Sequence, residues 1–302
     1  MMWAKRISLF IITNILIMLV ISTIVSVLGI EPYLNSTGMN YQSLMIMCLL
    51  WGMGGSFISL WISKWMAKTS MGLQPIDERG DMGHLVQMVH RIARQAGLSK
   101  MPEVYYFDSP DMNAFATGPS RNNALVAVSS GLLRGMKEEE VEAVLAHEVA
   151  HVANGDMVTM ALIQGVMNAF VMFFARLATF AIDQAMRGDR DDERGAGLGF
   201  FATIMLNNLF QIVFGLLAAP VVMSFSRWRE YRADAGSAAI VGREKMISAL
   251  RALQRNYDVL MQKREQPTRN VEVMQISSRG AFMELFASHP PLEKRIQALQ
   301  SR

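Results

Sequence analysis

The chain has 302 residues, 51% of them hydrophobic and 18% charged, with 25 methionines and a formal charge of +3; its pI is near 9.1 and its mean hydropathy is +0.22. It is long enough for one or two domains and more apolar than an ordinary soluble chain. The small basic excess contains no dense basic block with interleaved aromatics, which sets nucleic acid aside as a partner, and the single cysteine, Cys48, excludes an intramolecular disulfide framework and a cysteine-rich metal cluster.

Lys5 and Arg6 precede an uncharged run from Ile7 to Ile30. About 20 apolar residues cross a bilayer, so 7–30 reads as a transmembrane helix. It is too long for the apolar core of a signal peptide, and no small-residue cleavage site follows. A loop without Lys or Arg leads to a second uncharged run, 41–63, where Gly52, Gly55, Ser56 and Ser59 permit close helix packing. Lys64 and Lys68 follow. Positive residues before the first run and after the second place both ends in the cytoplasm.

Residues 64–156 are soluble in character and read as the first part of a cytoplasmic domain. Asp77 to Leu98 has helical periodicity; Glu103 to Phe107, Asn113 to Thr117 and Ala124 to Val128 read as short strands. Lys137 to Asp156 reads as a helix, with three glutamates in its first turn and Asn154-Gly155 as a stop. Two further apolar runs, 157–182 and 195–226, form a hydrophobic helical hairpin. Arg176 is the one charge in the first of them, and Pro220 interrupts the second. Residues 227–302 complete the soluble domain, with helical pattern from Ala233 to Tyr257, a polar stretch from Lys263 to Arg279 that suits a mobile lid, and a closing helix from Pro291 to Gln300.

The chemistry is carried by His147-Glu148-Val149-Ala150-His151. A spacing of four puts the two histidines on one helix face, where they can share one tetrahedral zinc ion, with Glu148 beside them to accept a proton from water. A third protein ligand is needed. Glu230 is the best candidate and shares a face with Asp234, so that one carboxylate can bind the metal while the other receives the N–H of a ligand histidine. Taken alone, Glu230 reads more readily as the partner of Arg227 or Arg229 in a charged helix. His289 stands before Pro290 and is held extended; it reads either as a structural histidine or as a donor to an oxyanion. Asn113 reads as a strand-end asparagine or as a clasp for an extended substrate added to a sheet edge. Arg295 reads as a support for His289, a substrate contact or a surface arginine. Asn154 and Asp156 read as braces of the metal helix. His84 and His90 are assigned no role.

These residues carry a family resemblance. The motif from His147 to His151 with Asn154-Gly155-Asp156, the stretch Glu230 to Asp234, Asn113-Ala114-Phe115-Ala116, Ser288-His289-Pro290-Pro291 with Arg295, and two apolar runs on each side of the metal helix together resemble the HtpX-type membrane zinc metalloproteases, relatives of the CAAX prenyl-protein proteases. The resemblance covers essentially the whole chain. It implies one zinc ion held by His147, His151 and Glu230, with Glu148 as general base, His289 and Asn113 in functional roles, and Asp234 and Asn154 around the ligands. It also implies an α+β, mainly α, integral membrane protein with four apolar helices and a cytoplasmic zincin-like metalloprotease domain, resident in the bacterial inner membrane and acting in quality control of membrane or misfolded proteins under stress. A zinc-binding scaffold without turnover would be the reading if Glu148 were missing, which it is not. A prenyl-protein protease calls for a larger intramembrane chamber than four helices provide.

Overall fold

The computed structural model describes residues 40–187, 197–264 and 287–301. The expected first span, 7–30, and most of the expected lid lie outside the described residues. The elements in chain order are α1 (Tyr41–Ser70), β1 (Gln74–Pro75), α2 (Gly83–Gln95), β2 (Glu103–Phe107), β3 (Ala114–Ser120), β4 (Asn123–Ser129), α3 (Ser130–Gly135), α4 (Glu138–Asn154), α5 (Asp156–Arg187), α6 (Phe200–Val241), α7 (Arg243–Arg264) and α8 (Leu292–Gln300). The described residues are mainly helical with one small sheet, an α+β fold. Among the described residues α1, α5 and α6 are long and apolar enough to cross a membrane.

The chain divides into two compact units. One gathers the residues up to Ile58 and Ala161–Val222. In it α1 lies against α5, with Tyr41, Met45, Cys48, Leu49, Ala169 and Phe173 buried together. Gly52 makes this approach possible. A side chain there would meet the backbone of Gly165 and Ala169 at 2.8 and 2.7 Å, inside van der Waals contact. Gly55, expected in the same stripe, faces open space.

The other unit gathers Ser59–Met160 with Met223–Arg302. Its sheet has the order β1-β2-β4-β3. β2 and β4 are parallel, while β1 and β3 run antiparallel to their neighbours. β3 is therefore an edge strand. β4 is buried along nearly its whole length, as its run of Ala, Leu and Val residues demands. A single apolar core joins α2, the sheet, α4, α7 and α8; Val89, Ile92, Leu145, Val149 and Leu250 lie at its centre.

Three elements differ from the expectation drawn from composition. α1 does not end with its apolar run at Ser63 but continues to Ser70. α6 is one helix of 42 residues that passes through Pro220 and across the boundary expected at 226. The helical pattern from Ala233 to Tyr257 is divided at Gly242, whose φ of 100° ends α6 and starts α7.

Candidate metal centre

α4 is built to be buried. The Glu140 carboxylate accepts the backbone N–H of Lys137 at 3.0 Å and ties off the first turn. Val141, Ala143, Val144, Leu145, Ala146, Val149, Ala150 and Val152 are all buried, so this helix has little solvent face. The helix stops at Gly155, in the left-handed conformation with φ 71°, whose N–H bonds back to the Val152 carbonyl at 3.0 Å. That stop lets α5 begin at once and returns Asp156 toward the helix it has just left.

α6 comes close alongside. At Gly236 an added Cβ would stand 3.0 Å from the Ala150 side chain, and the Ser237 hydroxyl donates to the Ala143 carbonyl at 2.8 Å. This close approach carries Glu230 to the histidines. His147 Nε2 and His151 Nε2 are 3.2 Å apart. Glu230 Oε2 lies 3.4 Å from the first and Oε1 3.3 Å from the second. Bonds of about 2.0–2.1 Å from a tetrahedral zinc give ligand-to-ligand edges of about 3.3 Å, so the three side chains have the spacing of a metal's coordination shell. They also form the cluster suited to a metal ion among the described residues.

The Glu230 carboxylate is 1% exposed, and it faces the imidazole nitrogens of His147, His151 and His289 with the Arg229 guanidinium 3.6 Å from Oε1. Burying a carboxylate costs several kcal/mol unless opposite charge faces it. A cation at the centre of this cluster supplies such charge. The surroundings are arranged to the same end. Burial works against the imidazolium of His147, but the Asp234 and Glu230 carboxylates beside it outweigh burial and push its pKa up to about 9. The pocket thus favours a positive charge.

The far ring nitrogens are held by carboxylates. His147 Nδ1 is 2.9 Å from Asp234 Oδ1, and His151 Nδ1 is bonded to Asp156 Oδ2 at 2.7 Å. Asp234 in turn receives Arg295 in a forked contact, Nε to Oδ2 at 2.8 Å and Nη2 to Oδ1 at 2.6 Å. His289 Nδ1 lies 2.9 Å from Glu230 Oε2, while its ring is 61% exposed. Glu148 is partly exposed next to the buried histidines.

The structure thus brings together His147, His151, Glu230, Asp234, His289 and Arg295. Arg295 is not a surface arginine. It is 7% exposed and its fork is occupied by Asp234. The Asn154 backbone carbonyl accepts from Arg232 at 3.5 Å, and Asp156 is the residue bonded to His151. That role of Asp156 was legible only as a brace, although a carboxylate just past a glycine stop is a signal for a contact back onto the helix. Asn113 precedes β3 and is exposed. Its backbone is pinned at both ends by Ser129, N–H to Oγ at 3.0 Å and C=O from N–H at 2.9 Å.

A buried helix with two histidines a turn apart, a glutamate between them and a carboxylate delivered by a second helix has the donor set of a metallopeptidase. Comparison with known proteins gives the same class. The family described as Peptidase family M48 matches residues 81–302. Protease HtpX of Tolumonas auensis is 50% identical over 298 residues, covering 98% of this chain and 99% of that protein. Protease HtpX of Chromohalobacter salexigens is 50% identical over 297 residues, with 98% and 97% covered. The crystal structure of S. mikatae Ste24p shares the fold, with a TM-score of 0.58 at 19% identity; the match covers 96% of this chain and 66% of that one. The chain belongs to peptidase family M48 and is a membrane-bound metalloprotease.

Proposed function

We propose that the protein is a zinc-dependent endopeptidase, with one zinc ion per chain on His147, His151 and Glu230. The observation that carries this reading is the buried Glu230 carboxylate facing the Nε2 atoms of His147 and His151 at 3.4 and 3.3 Å, with the three ligand atoms clustered as around one metal ion. Zinc bound there supplies Lewis acidity that makes water nucleophilic at neutral pH and polarises a scissile carbonyl. Glu148 accepts the proton of the attacking water and passes it to the leaving amine. His289, anchored through Nδ1 at Glu230, turns its exposed ring toward substrate and stabilises the oxyanion of the tetrahedral intermediate. Asp234 and Asp156 fix the ring orientation of the two ligand histidines and raise their basicity. Arg295 holds Asp234. The substrate extends along β3, the free edge of the sheet, with Asn113 at the mouth of that edge clasping its backbone.

The test is the substitution Glu148→Gln. It is expected to keep zinc at the wild-type level and to lose casein hydrolysis by at least a hundredfold. Hydrolysis at the wild-type rate by this variant would remove Glu148 from the mechanism.

We place the site at the cytoplasmic face of a bacterial inner membrane. His147 and Glu230 must meet on one side of the bilayer, so the chain between them crosses an even number of times, and the helices α5 and α6 serve as two of four spans. The basic residues Lys5, Arg6, Lys64 and Lys68 put that side in the cytoplasm. The segments 7–30, 41–63, 157–182 and 195–226 are the spans of this reading, with 64–156 and 227–302 as the two parts of the metalloprotease domain. The substrates that fit are membrane or misfolded proteins, as in quality control under stress, the role that the similarity to Protease HtpX brings to this chain. Labelling of single cysteines placed at Lys68 and Arg264 in intact and permeabilised cells checks the sidedness. Both are expected to react only after permeabilisation; labelling of either in intact cells contradicts it.

A further inference from the structure

The unit formed by α1, α5 and the first part of α6 contains a cavity of about 530 Å³. Arg176, Asp183, Arg187 and Asn207 supply its polar lining, and Leu44, Phe180, Phe200 and Ile204 are among its apolar walls. None of these groups is used by the metal centre. Arg176 is half-buried, and among the described residues no carboxylate pairs with it; its Nη1 reaches only the Met47 sulfur at 3.6 Å. Asp183 does not neutralise it, because the Asp183 carboxylate is taken up by the Arg187 guanidinium at 2.8–2.9 Å and by the Leu198 N–H at 2.7 Å. Across the cavity, Asn207 Oδ1 is a buried acceptor with no donor among the described residues. The cavity therefore offers an unspent cation, an unspent acceptor and an apolar wall.

Its place along α5 says which molecule combines the three complementary groups. Arg176 lies twenty residues after Asp156 in one continuous helix. At 1.5 Å per residue that is about 30 Å, the thickness of bilayer hydrocarbon. A helix that enters the membrane near Asp156 brings Arg176 to within about two turns of the far end of the 157–182 span, where its long side chain reaches toward the headgroup layer of the far leaflet. The first turn of α6, from Phe200, lies in the same cavity, and its positive end adds to the attraction for an anion. Phe200 and Phe201 are 75% and 80% exposed, and Met205 is 74% exposed, so the apolar wall continues outward as a surface suited to acyl chains.

We propose that this cavity is a binding site for one phospholipid molecule, with the lipid phosphate on Arg176, a headgroup amine or hydroxyl donating to Asn207 Oδ1, and the acyl chains along Phe180, Phe200 and Ile204. A headgroup with a hydrogen-bond donor, such as ethanolamine or glycerol, satisfies Asn207; a choline headgroup, which has none, does not.

The experiment is native mass spectrometry of the full-length protein in detergent, titrated with phosphatidylethanolamine, phosphatidylglycerol, phosphatidylcholine or inorganic phosphate. One ethanolamine or glycerol lipid is expected to bind per chain, at least tenfold more tightly than the choline lipid, with inorganic phosphate failing to displace it at equal concentration. Arg176→Gln is expected to weaken lipid binding at least tenfold, Arg176→Lys to retain most of it, and Asn207→Leu to abolish the preference over choline. Thermal unfolding of each variant without added lipid shows that it is folded. Equal lipid binding by folded Arg176→Gln and the wild type overturns the proposal, as does equal binding of all three lipids by the wild type or displacement of the lipid by inorganic phosphate.

Discussion

At the scale of residues, the candidate site is a set of charges that a cation would complete. Two imidazoles and a carboxylate face one point, and each histidine is backed by an aspartate, Asp234 for His147 and Asp156 for His151. Removing such a backing carboxylate lowers metal affinity about 10–100-fold in comparable sites. Asp156→Asn and Asp234→Asn are both expected to fall in that range when zinc is competed with a chelator. Unchanged affinity in both would show that the aspartates do not orient the ligands. Arg295 extends the chain of support by one more step, so Arg295→Met is expected to leave the Asp234 carboxylate uncompensated and to lower stability as well as zinc affinity, read from thermal unfolding with and without the metal. The ligand histidines were legible because a spacing of four is local information: any helix puts them one turn apart. Glu230 was legible as a candidate, and the fold shows both readings of it at once: Arg229 Nη2 lies 3.6 Å from Oε1, and the carboxylate, 1% exposed, lies between the two rings. Asp156 was hidden because its contact depends on the turn at Gly155, a matter of backbone conformation and not of residue type.

At the scale of elements, the position of α6 against α4 decides whether a third ligand exists. Gly236 bears on that distance, since a Cβ there would stand 3.0 Å from the Ala150 side chain, tighter than ordinary van der Waals contact. Gly236→Leu is expected to push the helices apart and to cost about 1–3 kcal/mol, the usual range for overpacking, measured as a lowered unfolding midpoint, and zinc is expected to be lost with it. A second element contact is electrostatic. Glu103 on β2 meets Lys64 and Lys68 of α1 at 2.8 Å each. Burial raises the Glu103 pKa, but the two ammonium groups outweigh it and bring it down to about 2, against 4.5 unperturbed. A carboxylate whose pKa is lower in the folded state contributes stability above its unfolded pKa and loses it as the pH falls through the folded one. The difference in unfolding midpoint between the wild type and Glu103→Gln is therefore expected to be constant at neutral pH and to close between about pH 4.5 and pH 2. A difference that stays constant across that interval contradicts the ion-pair account. The strands and the amphipathic α2 could be read from period and composition. The ends of α1 and α6 could not. Composition changes where the solvent changes, at Ser63 and Ser226, whereas the backbone hydrogen bonds that define a helix run on to Ser70 and Val241.

At the scale of the whole molecule, the two soluble stretches belong to one compact unit although an apolar hairpin separates them in sequence. His147 and Glu230 are close in space, and the chain between them leaves and re-enters the same unit through α5 and α6. A protease of this form is expected to need both halves together, so co-expressed 1–156 and 227–302 without the hairpin are expected to bind less zinc than the intact chain, measured by metal content after purification. The overall class was legible because the apolar runs, the paired histidines and the later carboxylate are each separate signals that agree. The mutual placement of the helices was not, because it depends on small residues such as Gly52 and Gly236 whose role is to leave space, and space has no composition.

The central claim is that Glu230 completes a zinc site with His147 and His151, and metal analysis of the purified full-length protein beside Glu230→Ala tests it most directly. The wild type is expected to hold one zinc per chain, and Glu230→Ala to hold far less after dialysis against a chelator that leaves the wild type loaded, while remaining folded by circular dichroism. Equal zinc in the two proteins, or none in a folded wild type purified without chelator, would contradict the account.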